Sequence, residues 1–186
     1  MRSRVEILAL ASAFASLCLC APVWGAKPPR EPDGYFVGAY HSPVPMTLRG
    51  AGVVDTAQAH ALWLKHQIFV DVLPQPPKPA GLPPGTIFRQ KPRYDIPGSI
   101  WLPDTGYGQL AGKMQFYFED GLQKATHGDK ARTLVFYCLK DCWMSWNAAR
   151  RAMRLGYDHV VWYRDGSDGW AGAQFPLQIN REAPGR

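Results

Sequence analysis

Cys138 and Cys142 stand four residues apart in the run TLVFYCLKDCW, directly after an apolar stretch and directly before MSWNAARRAMRL. A thiol between a strand and a helix N-terminus meets unpaired backbone N–H groups and the positive end of the helix dipole, and both stabilise the thiolate. The thiolate is the nucleophilic form, so this placement marks Cys138 as the reactive group. The same amides, across Leu139, Lys140, Asp141, Trp143, Met144 and Ser145, would form a cradle for an oxyanion such as thiosulfate or sulfite, with Lys140 adding one charge. Cys142 is near enough for a disulfide after modest adjustment, which suits a resolving thiol. It would attack a persulfide or sulfenic acid on Cys138, release the sulfur or water, and leave a disulfide for an external reductant to open.

Other readings of the same residues stay open. A disulfide serving only stability is one, although so short a loop removes little chain entropy. A copper or zinc site built on the two thiolates would need a distant histidine, and His41, His60, His66, His127 and His159 are scattered, so no metal ligand is assigned. Covalent haem is excluded, because its attachment signal has two residues between the cysteines and a histidine directly after them. Trp143 and Trp146 offer either a shield for the thiolate, a stacking face for a flat ligand such as a quinone, or ordinary packing. No cofactor is firmly expected beyond a persulfide on Cys138. Three classes follow: a thiol enzyme moving sulfur or electrons, a cofactor- or metal-binding module, and a silent domain that helps assemble a larger system.

The elements that position these residues alternate in type. DTAQAHALWLKHQIFVDV predicts a helix capped by Asp55 or Thr56, then a buried strand over Ile68–Val72. Residues 74–97 hold eight of the seventeen prolines and predict a long surface loop. IPGSIWLP reads as a turn into a short strand, Gln109–Ala125 as a helix and Thr133–Tyr137 as a buried strand. A helix over residues 144–155 stops at Gly156, HVVWY is a further strand, and residues 165–168 turn into a short helical piece and a polar tail. Such alternation predicts an α/β fold with a largely parallel sheet flanked by helices, and a ligand site at the carboxyl ends of the strands, where Cys138 lies.

Length and the N-terminus set the context. With 186 residues the chain can bury one core. Arg2 and Arg4, the apolar run from Val5 to Ala21 and the small residues Gly25 and Ala26 read as an export signal, short of the roughly 20 apolar residues of a spanning helix. Leucine before both Cys18 and Cys20 disfavours lipidation. The expected organisation is a signal peptide at 1–25, a proline-rich leader and first elements at 26–50 in which residues 27–34 are loose, the main α/β domain at 51–180 and a tail at 181–186. Cleavage would leave 19 basic and 14 acidic residues, a periplasmic protein without stable membrane insertion, and only the two cysteines at 138 and 142. The basic residues form no stripe with interleaved aromatics, which excludes nucleic acid as a partner.

YCLKDCW resembles the rhodanese active-site turn, and FVDV upstream, IPGSIWLP after it and DGSDGWAGAQFPL near the end extend the resemblance over about Val53–Leu177. More narrowly, CLKDCWMSWNAARRA resembles the exported rhodanese-like proteins named for a cysteine-pair-tryptophan motif and associated with alcohol catabolism dependent on pyrroloquinoline quinone (PQQ). The resemblance implies a sulfur-carrying role for Cys138, an acidic strand-end residue at Asp71, a pre-strand glycine at Gly98, and a closing motif containing Gly166 and Trp170. It also implies a small sulfur-containing or thiol substrate and a periplasmic dehydrogenase or reductant protein as partner. The loop reads LKDCW where active sulfurtransferases carry a glycine and an arginine, and Leu73 replaces the usual arginine after Asp71, which argues against ordinary thiosulfate:cyanide sulfurtransfer.

Overall fold

A computed structural model describes residues 27–186, so the expected signal segment lies outside the described residues. The first strand, β1 (Gly52–Val54), leads into helix α1 (Thr56–Leu64), strand β2 (Ile68–Asp71), the proline-rich loop, and strands β3 (Arg93–Asp95) and β4 (Ile100–Trp101). Helix α2 (Gly112–Thr126), strand β5 (Leu134–Tyr137), helix α3 (Trp143–Arg154), strand β6 (Val160–Tyr163), helix α4 (Gly166–Gly172) and strand β7 (Gln178–Asn180) complete the chain. Five strands form a parallel sheet in the order β1-β6-β5-β2-β4, and β3 pairs antiparallel with β7 in a separate ribbon. This is the α/β architecture expected from the alternation of elements.

Local chemistry sets the element ends. Asp55 caps α1 by accepting from the Gln58 amide, while the Gln58 side chain accepts from the Asp55 amide, the reciprocal pair of a capping box. At Ile96-Pro97-Gly98-Ser99 the Ser99 amide donates to the Ile96 carbonyl at 3.1 Å and Gly98 has φ +81°, the turn for which Pro then Gly is suited. That turn aims β4 into the sheet beside β2.

Alternation along β5 splits the core in two. Leu134, Phe136 and Cys138 face a cluster shared with α2 and α3, while Val135 and Tyr137 face one shared with Phe69, Ala59 and Trp170. Cys138 therefore emerges on the α3 side of the sheet. Asp71, two residues beyond Phe69 on β2, pairs in register with Tyr137 and belongs with the opposite side.

The N-terminal segment departs from expectation. Residues 27–34 have no regular structure, as the prolines predict, yet they are not loose from Glu31 onward. Glu31 accepts from Thr47 Oγ1 and the Arg49 amide, and Arg150 donates to the carbonyls of Pro32 and Asp33. Further on, Asn147 of α3 accepts from the Phe36 amide and donates to the Phe36 and Gly106 carbonyls. The segment from residue 31 to 48 is thus a strap over the outer side of α3, and it explains why Asn147 and Arg151 are buried where an amphipathic helix would normally meet water. Arg151 is satisfied by the carbonyls of Thr105 and Tyr107, each at 2.7 Å.

Two other expectations change. The end of the proline-rich segment is strand β3, because it pairs antiparallel with the distant β7, Arg93 opposite Asn180 and Asp95 opposite Gln178, a pairing no local pattern reveals. Residues 165–168 already begin a helix, α4, and the polar end of the chain folds back: the Ala183 amide donates to the Trp101 carbonyl and Arg186 pairs with Asp104 and Glu182. Among the described residues no helix is long and apolar enough to cross a membrane.

Candidate functional site

The five residues Cys138 to Cys142 turn from the end of β5 to the start of α3, with Asp141 at φ +52° and the two cysteines joined as a disulfide across a Cα–Cα distance of 6.2 Å. Cys142 is the N-cap of α3, so the helix N-terminus bears most directly on Cys142 and not, as the sequence suggested, on Cys138. Both cysteines are buried, at 0% and 2% exposure, whereas Lys140 and Asp141 face solvent.

The strap closes over this turn. Ser42 donates its amide to the Asp141 carbonyl at 3.1 Å, and the Trp143 amide donates to the Tyr40 carbonyl at 2.9 Å, a bridge that sets His41 against Cys142. The Trp143 indole donates to Ser42 Oγ at 3.1 Å, and its ring stacks on Phe36 with centroids 4.0 Å apart. The expected stacking face for a flat ligand is therefore occupied by Phe36, and Trp146, buried edge-on against Trp143, has its indole bound to the Thr47 carbonyl.

The expected anion cradle is partly filled by the protein itself. The Lys140 amide donates to the carboxylate of Asp168 at 3.1 Å, so an acidic side chain takes one of the donors an oxyanion would need, and Tyr40 takes another. Met144 and Ser145 point into the core: Ser145 Oγ donates to the Cys142 carbonyl and accepts from the Trp162 indole, and Met144 lies against Gly106. What is left open at the mouth is a cavity of about 270 Å³ between strap and turn, with Lys140, Asp141, Val44, Met46 and Arg164 in its walls.

Behind the turn runs a polar chain that sequence reasoning reached only at its ends. Arg93 Nε donates to Asp71 Oδ2 at 2.6 Å, and Arg93 Nη2 donates to Ser167 Oγ at 3.1 Å. Ser167 in turn donates its amide, at 2.9 Å, and its hydroxyl, at 3.3 Å, to the Cys138 carbonyl. Arg93 thus supplies the cation that Leu73 lacks, from a strand 22 residues beyond Asp71. Asp71 also accepts from the Leu73 amide, yet burial outweighs these partners and holds its carboxyl above the usual range. Gly166, at φ +56°, lets α4 approach, since a Cβ there would run into the Cys138 carbonyl. Trp170 fills the second core and donates to the Pro176 carbonyl at 2.8 Å.

On the same side of the sheet, the buried Tyr137 hydroxyl donates to Ser99 Oγ and accepts from the Ile96 amide. Asp95 accepts from Asn180 through Oδ2, but its Oδ1 has no partner among the described residues. Burial, with the Asp71 charge adding to it, pushes the Asp95 carboxyl up to about 7. Arg93 and Ser167 were missed for different reasons. Ser167 sits inside the DGSDGW run and next to Gly166, so it had a local signal; Arg93 follows a proline-rich loop and had none.

Residues 62–173, more than half of the chain, match the model of the rhodanese-like domain, and the chain belongs to that family. Solved structures resemble it at low identity. A thiosulfate sulfurtransferase from Pseudomonas aeruginosa is 15% identical with a TM-score of 0.49, covering 72% of this chain but only 21% of that enzyme. The polysulfide-sulfur transferase homodimer from Wolinella succinogenes is 14% identical with a TM-score of 0.44, covering 74% of this chain and 85% of that one. A rhodanese-like domain from Anabaena is 15% identical with a TM-score of 0.44, covering 70% and 83%. No curated protein matches the chain.

Proposed function

We propose that this chain is an exported, periplasmic rhodanese-like thiol protein in which Cys138 carries sulfur or electrons and Cys142 resolves it, in the setting of PQQ-dependent alcohol catabolism. The observation that carries the reading is the Cys138–Cys142 disulfide across the turn between β5 and α3. In the sulfur-carrying form, Cys138 Sγ bears a persulfide. The Cys142 thiolate, favoured by its place at the start of α3, attacks Cys138 Sγ; the Sγ–S bond breaks and hydrosulfide leaves with its electron pair. The product is the Cys138–Cys142 disulfide, which a dithiol reductant returns to two thiols by giving up two electrons. The export signal at residues 1–25 and the run CLKDCWMSWNAARRA support the compartment and the metabolic setting. Asp168, whose carboxylate holds the Lys140 amide, disfavours a free dianion such as thiosulfate as donor and favours a neutral or protein-borne persulfide.

The burial of both sulfurs under the strap favours a second reading, a silent module that binds a cofactor or helps assemble an exported quinoprotein dehydrogenase. Intact-mass measurement of the mature protein separates the two, before and after a dithiol and then a persulfide donor. The thiol reading expects loss of the disulfide with dithiol, gain of one sulfur in the Cys142→Ser chain, and its conversion to disulfide when Cys142 is present. A disulfide that resists a dithiol in the folded protein, with no adduct on Cys142→Ser, would overturn it in favour of the silent module.

A further inference from the structure

Beside the carboxyl end of β4, away from the disulfide, a cavity of about 500 Å³ opens between the β3–β7 ribbon and the proline-rich loop. Its size is that of a small-ligand site. Three cations from separate segments line it: Lys91 at the end of the loop, Arg93 on β3 and Arg181 just after β7. They differ in how their charge is already used. Arg93 is neutralised by Asp71 through Nε, whereas neither Lys91 nor Arg181 makes an ion pair among the described residues. The one carboxylate in the lining, Glu182, is paired with Arg186 at 2.9 Å and shares that cation with Asp104. The cavity therefore holds two unpaired cations, Lys91 and Arg181, against one carboxylate that is only partly compensated, which leaves a positive excess.

Its walls are not wholly polar. Trp101 is 5% exposed and held in place by donating its indole N–H to the Leu73 carbonyl at 2.8 Å, and Ile179 is 60% exposed. An inorganic anion alone would leave Ile179 wet, whereas a ligand with an apolar body covers it and meets the small exposed edge of Trp101. We propose that this cavity binds a small organic dicarboxylate, its two acid groups held by Lys91 and Arg181 and its apolar body set against Trp101 and Ile179. Cys138 and Cys142 contribute nothing to its lining, although Arg93, in one wall, reaches the Cys138 carbonyl through Ser167.

The test is calorimetric titration of the mature chain with phthalate, isophthalate and terephthalate, which set two carboxylates at three spacings, against benzoate and sulfate. At least one dicarboxylate should bind more tightly than both benzoate and sulfate. Lys91→Ala and Arg181→Ala should each weaken it about tenfold, the loss of one charge-assisted contact. Both side chains are exposed, so the fold should survive, and unchanged melting of each variant checks this. Lys130→Ala, on a lysine that covers the Tyr157 ring outside this cavity, should bind as the unaltered chain does. The same affinity in the Cys138→Ser/Cys142→Ser chain would hold the site apart from the thiols. The proposal is overturned if no isomer binds, if sulfate binds as well as the best of them, or if both cavity variants bind unchanged.

Discussion

Replacing Arg93 with methionine keeps most of the side-chain volume and removes the guanidinium that faces Asp71. In the folded chain Asp71 is fully buried and Arg93 is 11% exposed, so the 2.6 Å contact between them is shielded from water. Loss of one partner of a buried ion pair leaves an uncompensated charge and costs about 3–5 kcal/mol. Asp71 keeps the Leu73 amide bond at 2.8 Å, which places the expected loss near the lower end, about 3 kcal/mol. That is a large part of the ~5–15 kcal/mol of a typical domain. The loss should depend on pH. The Asp71 carboxyl is already raised from 3.8 by burial, and without Arg93 it rises further. An acid whose folded value lies above its unfolded value keeps its full stability contribution below the unfolded value and loses it as pH rises. The variant should therefore lie closer to the unaltered chain at pH 4 than at pH 8. Urea unfolding at the two pH values, with the slope checked for constancy, measures this directly. Asp71→Asn combined with Arg93→Met should recover most of the loss, because no charge is then buried alone. A loss below about 1 kcal/mol, the range of an exposed pair, or one that does not vary with pH, would refute the reasoning.

Asp95, raised to about 7 chiefly by burial, should destabilise the fold progressively as pH rises from about 4 through 7. Asp95→Asn should then gain in melting temperature relative to the unaltered chain at pH 8 but not at pH 4; a constant difference across that range would refute the assignment. Phe36→Ala removes the ring stacked 4.0 Å from Trp143 and should cost about 2 kcal/mol locally, loosening the strap. Its disulfide should be reduced by a dithiol at least several-fold faster, as followed by thiol labelling, and an unchanged rate would mean that the strap does not control access. Gly166→Ala combines an unfavourable φ with a clash at the Cys138 carbonyl, so a loss of about 2 kcal/mol in urea unfolding is expected; near-neutrality would mean that α4 can withdraw freely.

The local grammar of the chain determined a good deal. The capping box at Asp55 and Gln58, the Pro97-Gly98 turn, the apolar runs of β2 and β5 and the cysteine turn between β5 and α3 all rest on neighbours in sequence. They were enough to reach the α/β class and to single out Cys138 and Cys142. What surrounds the cysteines was decided only by tertiary structure. Arg93 reaches Asp71 because β3 pairs with β7, and Phe36, Tyr40 and Ser42 reach α3 because the strap folds across a hundred residues of chain. Such partners leave no periodic trace, since hydrogen-bond donors, acceptors and ring faces satisfy one another wherever folding brings them together. For the same reason the sequence showed amides free to cradle an anion, while the folded chain has given two of them to Asp168 and Tyr40.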